Sequence, residues 1–157
     1  MTVEEFWREC REALPGLPAD MPEAWAFGAL PEHADELLAL VLAGTKTATA
    51  SSLWDIEATG EMMPRPGDLS IILDGSGTPR ALIETTAIAI VPFDEVSQEH
   101  AFAEGEDDRT LDSWREIHER YWRRHSESPR GFERGMPVVC EEFRLLHSSF
   151  NSSPLSC

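Results

Sequence analysis

The stretch Leu37-Leu38-Ala39-Leu40-Val41-Leu42-Ala43-Gly44-Thr45-Lys46-Thr47-Ala48-Thr49-Ala50-Ser51 carries the change of structure on which the fold turns. Leu37, Leu38, Val41 and Leu42 recur at helical spacing, so a helix starting at Pro31 should run to Ala43 with these residues on its apolar side. Gly44 suits the position just past a helix end, because it adopts a left-handed backbone without steric cost. Thr45 to Ser51 is rich in Thr and Ala and should be extended. In a regular strand, positions three apart face opposite sides. Lys46 and Thr49 therefore share a side only if the backbone is irregular as it leaves Gly44.

Working outward, Thr2 and Glu5 form a capping box for a first helix to about Leu14, burying Phe6, Cys10 and Leu14, and Pro15-Gly16 ends it. Ala24 to Phe27 reads as a short strand or extended segment. On the other side, Pro64 to Asp68 is a turn, Leu69 to Leu73 a strand, and Asp74 to Pro79 a hairpin loop. Arg80 to Pro92 is a long strand, Asp94 to Glu104 a turn with a short helix, Thr110 to His125 a longer helix, and Pro137 to Leu146 a last strand. Elements in this order define an α+β fold rather than an alternating βαβ one. The strands should make a small β-barrel or a curved mixed sheet flanked by helices. Residues 1–25 read as an N-terminal helical extension packed on the domain, 26–146 as the domain, and 147–157 as a mobile Ser-rich tail.

Composition narrows the function. The 157 residues carry a formal charge of −16. Residues 1–108 hold 5 basic and 22 acidic groups, whereas residues 109–134 hold 7 Arg against 5 acids. Tight binding of long nucleic acids needs clustered positive charge, so a small ligand is favoured, with an anion drawn to the Arg-rich segment or to Lys46. That Arg-rich segment also fits a solvated helix face balanced by Glu116–Arg120 and Glu119–Arg123 pairs. Cys10, Cys140 and Cys157 are far apart and form no CxxC or Cys/His cluster, so neither a disulfide framework nor a zinc site is expected. With no long apolar run and an acidic N-terminus lacking a signal-like apolar stretch, the chain reads as a soluble cytoplasmic protein with no membrane partner.

Twelve of the thirteen basic residues are Arg; the single Lys is Lys46. An arginine stays charged in a protein, whereas a buried lysine amine can give up its proton. Lys46 therefore stands out as a reactive candidate, against the alternative of a lysine that caps or pairs near a helix end.

Gly44 to Thr49 matches GxKxxT, and it is joined by Gly67-Asp68 before a strand, by Phe93-Asp94-Glu95-Val96, and by His100-Ala101-Phe102-Ala103-Glu104-Gly105-Glu106. A helix bearing Trp114, His118 and Tyr121-Trp122 follows. Together these resemble the ASCH family, a relative of the PUA RNA-binding fold, over residues 26–146. The resemblance implies a small barrel flanked by helices, with a cleft beside the GxKxxT segment. It also implies RNA-related roles and, in one branch, hydrolysis of N4-acetylcytidine by a lysine, a threonine and a glutamate. Lys46, Thr49 and Glu104 match those three and are the candidate catalytic residues. That branch has an arginine two residues past the threonine, where this chain has Ser51, and it lacks the N-terminal helix. Another member is a ribonuclease.

The expected function is thus an amidohydrolase for an acylated nucleoside or similar small amide. The alternatives are an RNA- or nucleotide-binding module without catalysis, and an ASCH-type ribonuclease. Thr49 offers a hydroxyl nucleophile, Lys46 a base, and Glu104 a group that orients the amine or shuttles a proton. Thr47, Ser51, Trp54, Glu84 and His100 are candidate substrate-binding residues. Glu84 is either a second pocket carboxylate or an arginine's partner at the surface. Trp54 could stack on a base or sit in the core or at its rim. His100 could hold Glu104 in place or lie at the surface. His118, with Trp114 and Tyr121 at i, i+4 and i+7, reads as a packed helix face. Glu106-Asp107-Asp108 reads as a cap for the following helix rather than a metal site. No metal or other cofactor is expected. The partner should be a small nucleoside- or nucleotide-like ligand or a short RNA, with the protein a monomer or homodimer.

Overall fold

The computed structural model describes residues 1–149. Among them lie five α-helices, α1 (Val3–Ala13), α2 (Pro31–Leu42), α3 (Leu53–Thr59), α4 (Gln98–Glu104) and α5 (Leu111–His125), and a short 3-10 turn, Phe93–Glu95. Five strands, β1 (Glu23–Trp25), β2 (Ala48–Ser52), β3 (Leu69–Leu73), β4 (Pro79–Pro92) and β5 (Pro137–Ser148), hydrogen-bond in the order β1-β3-β4-β5-β2. The β1–β3 pair is parallel, while β2–β5 and β3–β4 are antiparallel, so the sheet is mixed. The fold is α+β, as expected.

The chain forms two compact units, and β4 and β5 contribute to both. The first comprises Met1–Gly44, Gly67–Glu84 and the described residues from Arg144 onward. Its α1 starts at a capping box: the Glu5 amide donates to Thr2 Oγ1 at 3.0 Å and the Thr2 amide to Glu5 Oε1 at 2.8 Å. The helix then buries Phe6, Trp7 and Cys10 against Ile71 of β3 and Leu82 of β4. Fully burying a side chain such as Phe6 contributes roughly 1.5–3 kcal/mol. In α2 the buried stripe is Ala34, Leu38 and Val41, with Leu37 and Leu42 only half-buried. Strand β5 runs two residues past its expected end, and His147 Nε2 lies 2.6 Å from Glu9 Oε2. The expectation of a mobile tail falls otherwise on residues 150–157, outside those described.

The second unit, Thr45–Pro66 with Thr85–Phe143, is built on a core of Trp54, Phe93, Val96, Ala101, Trp114, Trp122, Met136, Val138 and Cys140. Phe93 packs edge-on against Phe132 at 4.8 Å and tilted against Trp114 at 5.4 Å. Helix α3 has no counterpart in the sequence reading. Its signals are local: Ser52 caps it by accepting the Asp55 amide at 3.3 Å, and left-handed Gly60 ends it. Such a two-turn helix is too short to show a helical period.

Candidate functional site

The backbone between Gly44 and β2 is irregular, the condition set by the sequence for Lys46 and Thr49 to share a side. Gly44 sits at φ +82°, and residues 45–47 belong to no helix or strand. Residue 47 clamps this segment from both sides. The Thr47 amide donates to the Ala103 carbonyl of α4 at 2.7 Å, and the Thr47 carbonyl accepts the Phe143 amide of β5 at 3.0 Å. Helix α4 ends at Gly105, whose backbone is left-handed (φ +76°). A Cβ there would meet the Thr45 carbonyl oxygen at 2.6 Å, so the close approach of α4 to Thr45 needs a glycine on two counts.

This clamp directs the Lys46 side chain into the interior, where the residue is 2% exposed. Its Nζ donates to the Ala48 carbonyl at 2.9 Å, to Glu106 Oε2 at 3.0 Å and to the Glu104 carbonyl at 3.4 Å. Glu104 Oε1 lies 3.6 Å away. Oxygens at three of these positions engage the three N–H groups of an ammonium ion. Glu104, 1% exposed, is surrounded in turn. Its Oε2 accepts from His100 Nε2 at 2.6 Å and from Trp114 Nε1 at 2.7 Å. Its Oε1 lies 3.2 Å from His118 Nε2.

His118 Nδ1 is 2.8 Å from the Trp114 carbonyl, and the two rings stack with centroids 4.2 Å apart. Both ring nitrogens of His118 face oxygen acceptors, so the arrangement suits the imidazolium. Burial alone favours a neutral ring, but it is outweighed by the Glu104 charge and hydrogen bond, then by Glu106 and the Trp114 carbonyl. The His118 pKa is raised. Burial likewise pushes the Glu104 carboxyl upward. The His118 and Lys46 charges, with the bonds from His100 and His118, outweigh that and hold it well below the usual carboxylate range.

These two shifts act on stability in opposite directions of pH. The raised His118 pKa contributes stability that is complete below about 6.5 and lost as pH rises through the folded-state value. The depressed Glu104 pKa contributes stability present above the ordinary carboxylate range and lost as pH falls through its lowered value. Thermal melts across pH should therefore show a plateau above about pH 4.5 and below about 6.5, with an alkaline decline that His118→Gln abolishes. An alkaline limb unchanged in His118→Gln would show that His118 is not its source.

Glu104, Glu106 and His118 offer ligand atoms within 4.8 Å of one another, a grouping that could hold a cation. The Lys46 ammonium already stands 3.0 Å from Glu106 and 3.6 Å from Glu104. It supplies the positive charge there, and a divalent ion beside it would be repelled.

Of the residues singled out in the sequence, Lys46, Glu104 and His100 come together. Thr49 lies in β2, half-buried, opposite Glu141 of β5. Ser51 lies opposite Val139. Thr47 is exposed and its hydroxyl is 3.4 Å from the Ala103 carbonyl. Trp54 is built into the core, and the Arg130 guanidinium covers its ring at 3.7 Å, the place a stacked base would take. Glu84 belongs to the first unit and pairs with Arg144 at 2.7 Å, the arginine-partner alternative.

Two readings need correction. His118 is not merely a packed helix face, because its Nε2 reaches Glu104. Glu106 is not a helix cap but a partner of Lys46. The spacing Trp114–His118 on one helix face was the available signal for the former. Glu141, buried just past the apolar run Val138-Val139-Cys140, was missed altogether.

The fold is that of an ASCH-type domain. The ASCH domain family model matches residues 23–147, and the chain belongs to that family. ASCH domains are nucleic-acid-binding in general. The chain is similar to the crystal structure of protein EF3133 from Enterococcus faecalis V583, with TM-score 0.86 and 36% identity over 98% of this chain and 93% of the other. It is similar also to the ASCH domain from Lactobacillus crispatus JV V101, with TM-score 0.83 and 26% identity over 92% and 93% of the two chains. No curated protein matches the chain. Among the described residues, no helix is long and apolar enough to cross a membrane.

Proposed function

We propose that the chain is an amidohydrolase for a small acylated nucleoside or a similar small amide, with N4-acetylcytidine as the model substrate. The observation that carries this reading is the buried Lys46–Glu104 pair at the entry to β2, the strand that holds the half-buried residue Thr49. Taking two charges out of water is costly, and clusters that do so are concentrated at functional sites. The net charge of −16 favours a small, near-neutral ligand over a long polyanion.

In this reading Thr49 attacks the acyl carbon. The Lys46 ammonium, fixed by Glu104, stabilises the negative charge that develops on the acyl oxygen. Glu106, whose side chain is 20% exposed, is the Lys46 partner that a ligand can displace. Its departure frees an N–H donor.

One observation favours a second reading, a binding module without chemistry: all three N–H donors of Lys46 are engaged. Incubation of the protein with N4-acetylcytidine separates the two. Release of cytidine and acetate in equal amounts is the expected result. Saturable binding with no release overturns the enzymatic reading. Cleavage of RNA that falls steeply with salt would instead mark a ribonuclease.

A further inference from the structure

We propose that the loop 106–109, which joins α4 to α5, is a gate over Lys46, and that Arg109 is the latch that holds it shut. The role rests on Lys46 meeting a ligand, as the proposed function requires, whether for hydrolysis or for binding alone. Every group concerned lies in the second unit.

Lys46 and Glu104 are 2% and 1% exposed, so a ligand reaches neither unless a wall of the site moves. Most of the surroundings are fixed. The backbone at Thr47 is clamped between α4 and β5, Gly105 is pressed against the Thr45 carbonyl, and Ala101 and Trp114 belong to the aromatic core. Glu106 is different: its Oε2 lies 3.0 Å from the Lys46 nitrogen, yet its side chain is 20% exposed.

The loop that carries Glu106 is built to move. Glu106-Asp107-Asp108-Arg109 contains no apolar side chain, and Asp107 and Asp108 are exposed. Lifting it takes nothing out of the core, and segments with few buried contacts open at the least cost. Among the described residues, Asp107 (φ +53°) and Arg109 (φ +66°) are the two non-glycine residues with left-handed backbones. That conformation is sterically costly for a residue with a side chain and persists only where contacts enforce it. Opening releases this strain, which offsets part of the lost Lys46–Glu106 bond.

Arg109 supplies the main enforcing contacts. Its guanidinium stacks on the exposed Phe102 ring at 3.6 Å, its Nε donates to the Phe102 carbonyl at 3.1 Å, and its Nη2 donates to the Thr45 carbonyl at 3.4 Å. These tie the far end of the loop to α4 and to the residue before Lys46. Two further ties are exposed: Ser113 Oγ donates to Asp107 Oδ2 at 2.6 Å, and Gln98 Nε2 to the Arg109 carbonyl at 3.0 Å.

Because Lys46 is the sole lysine, its labelling by an amine reagent reads the gate directly. Acetic anhydride acylates Lys46 and the N-terminal amine, and mass-spectrometric peptide mapping separates the two. Iodoacetamide alkylation of buried Cys140, in the core of the same unit, is the control for global unfolding. In the wild type Lys46 should label slowly, but ahead of Cys140. When reclosing outpaces labelling, the rate follows the open population. Arg109→Ala should therefore raise the Lys46 rate by about tenfold and leave Cys140 unchanged. Phe102→Ala, which keeps the arginine and removes the ring beneath it, should raise the rate by about threefold. Lys46 rates unmoved in both variants would overturn the latch. Lys46 and Cys140 reacting in step would overturn the gate, since unfolding alone would then expose the lysine. Neither readout needs turnover: a wild type that releases no cytidine from N4-acetylcytidine removes the hydrolase reading, and labelling still decides the gate.

Discussion

Glu104→Ala is expected to destabilise the fold by about 3–5 kcal/mol, because it takes one of two carboxylates from the buried Lys46 and leaves only Glu106 beside it. For a chain of this size that corresponds to a fall in Tm on the order of 10 °C. The substitution also removes the acceptor for Trp114 Nε1 at 2.7 Å and for His100 Nε2 at 2.6 Å, stranding a buried indole N–H. It deprives His118 of its anionic partner as well. The contrast is Glu116→Ala, which breaks an ion pair with Arg120 whose side chains are 75% and 64% exposed. Screened by water and mobile at both ends, that pair should contribute at most about 1 kcal/mol. Parallel thermal melts check both, and equal shifts would contradict the special standing of Glu104.

Thr49→Val is expected to abolish hydrolysis of N4-acetylcytidine, by roughly 10⁴–10⁶-fold, the scale on which nucleophiles and their partners act. The change keeps the side-chain shape and a strong strand former at a half-buried position of β2, so the fold should be retained. Thr49→Ser, which restores a hydroxyl, should recover measurable turnover. Ligand affinity should change little in either variant, since the hydroxyl acts in the transition state more than in the ground state. Steady-state rates beside binding isotherms check this. Full activity in Thr49→Val would remove Thr49 from the chemistry.

Much of this was legible in the chain itself. The capping box at Thr2–Glu5, the stop at Gly44 and the turns around Asp74 and Gly77 are local signals, and local signals can be read without a structure. Lys46 stood out as the sole lysine, whereas Glu104 was singled out only by the resemblance to the ASCH family. What did not come through depends on contacts distant in sequence. Glu106 looked like a helix cap because its partner is 60 residues away. His118 looked like packing because its carboxylate partner belongs to another helix, α4. The place of Glu141 follows only from the β2–β5 register, which no spacing along the chain encodes.

The measurement closest to the heart of this account is a double-mutant cycle between Lys46→Met and Glu104→Gln, read by denaturant unfolding at pH 6. Each single change takes one partner from a buried charge, whereas the double change removes both charges, so the two effects should fall short of their sum by about 2 kcal/mol or more. Effects that add to within about 0.5 kcal/mol would show that the two groups do not sense each other, and the site built on their pairing would not exist.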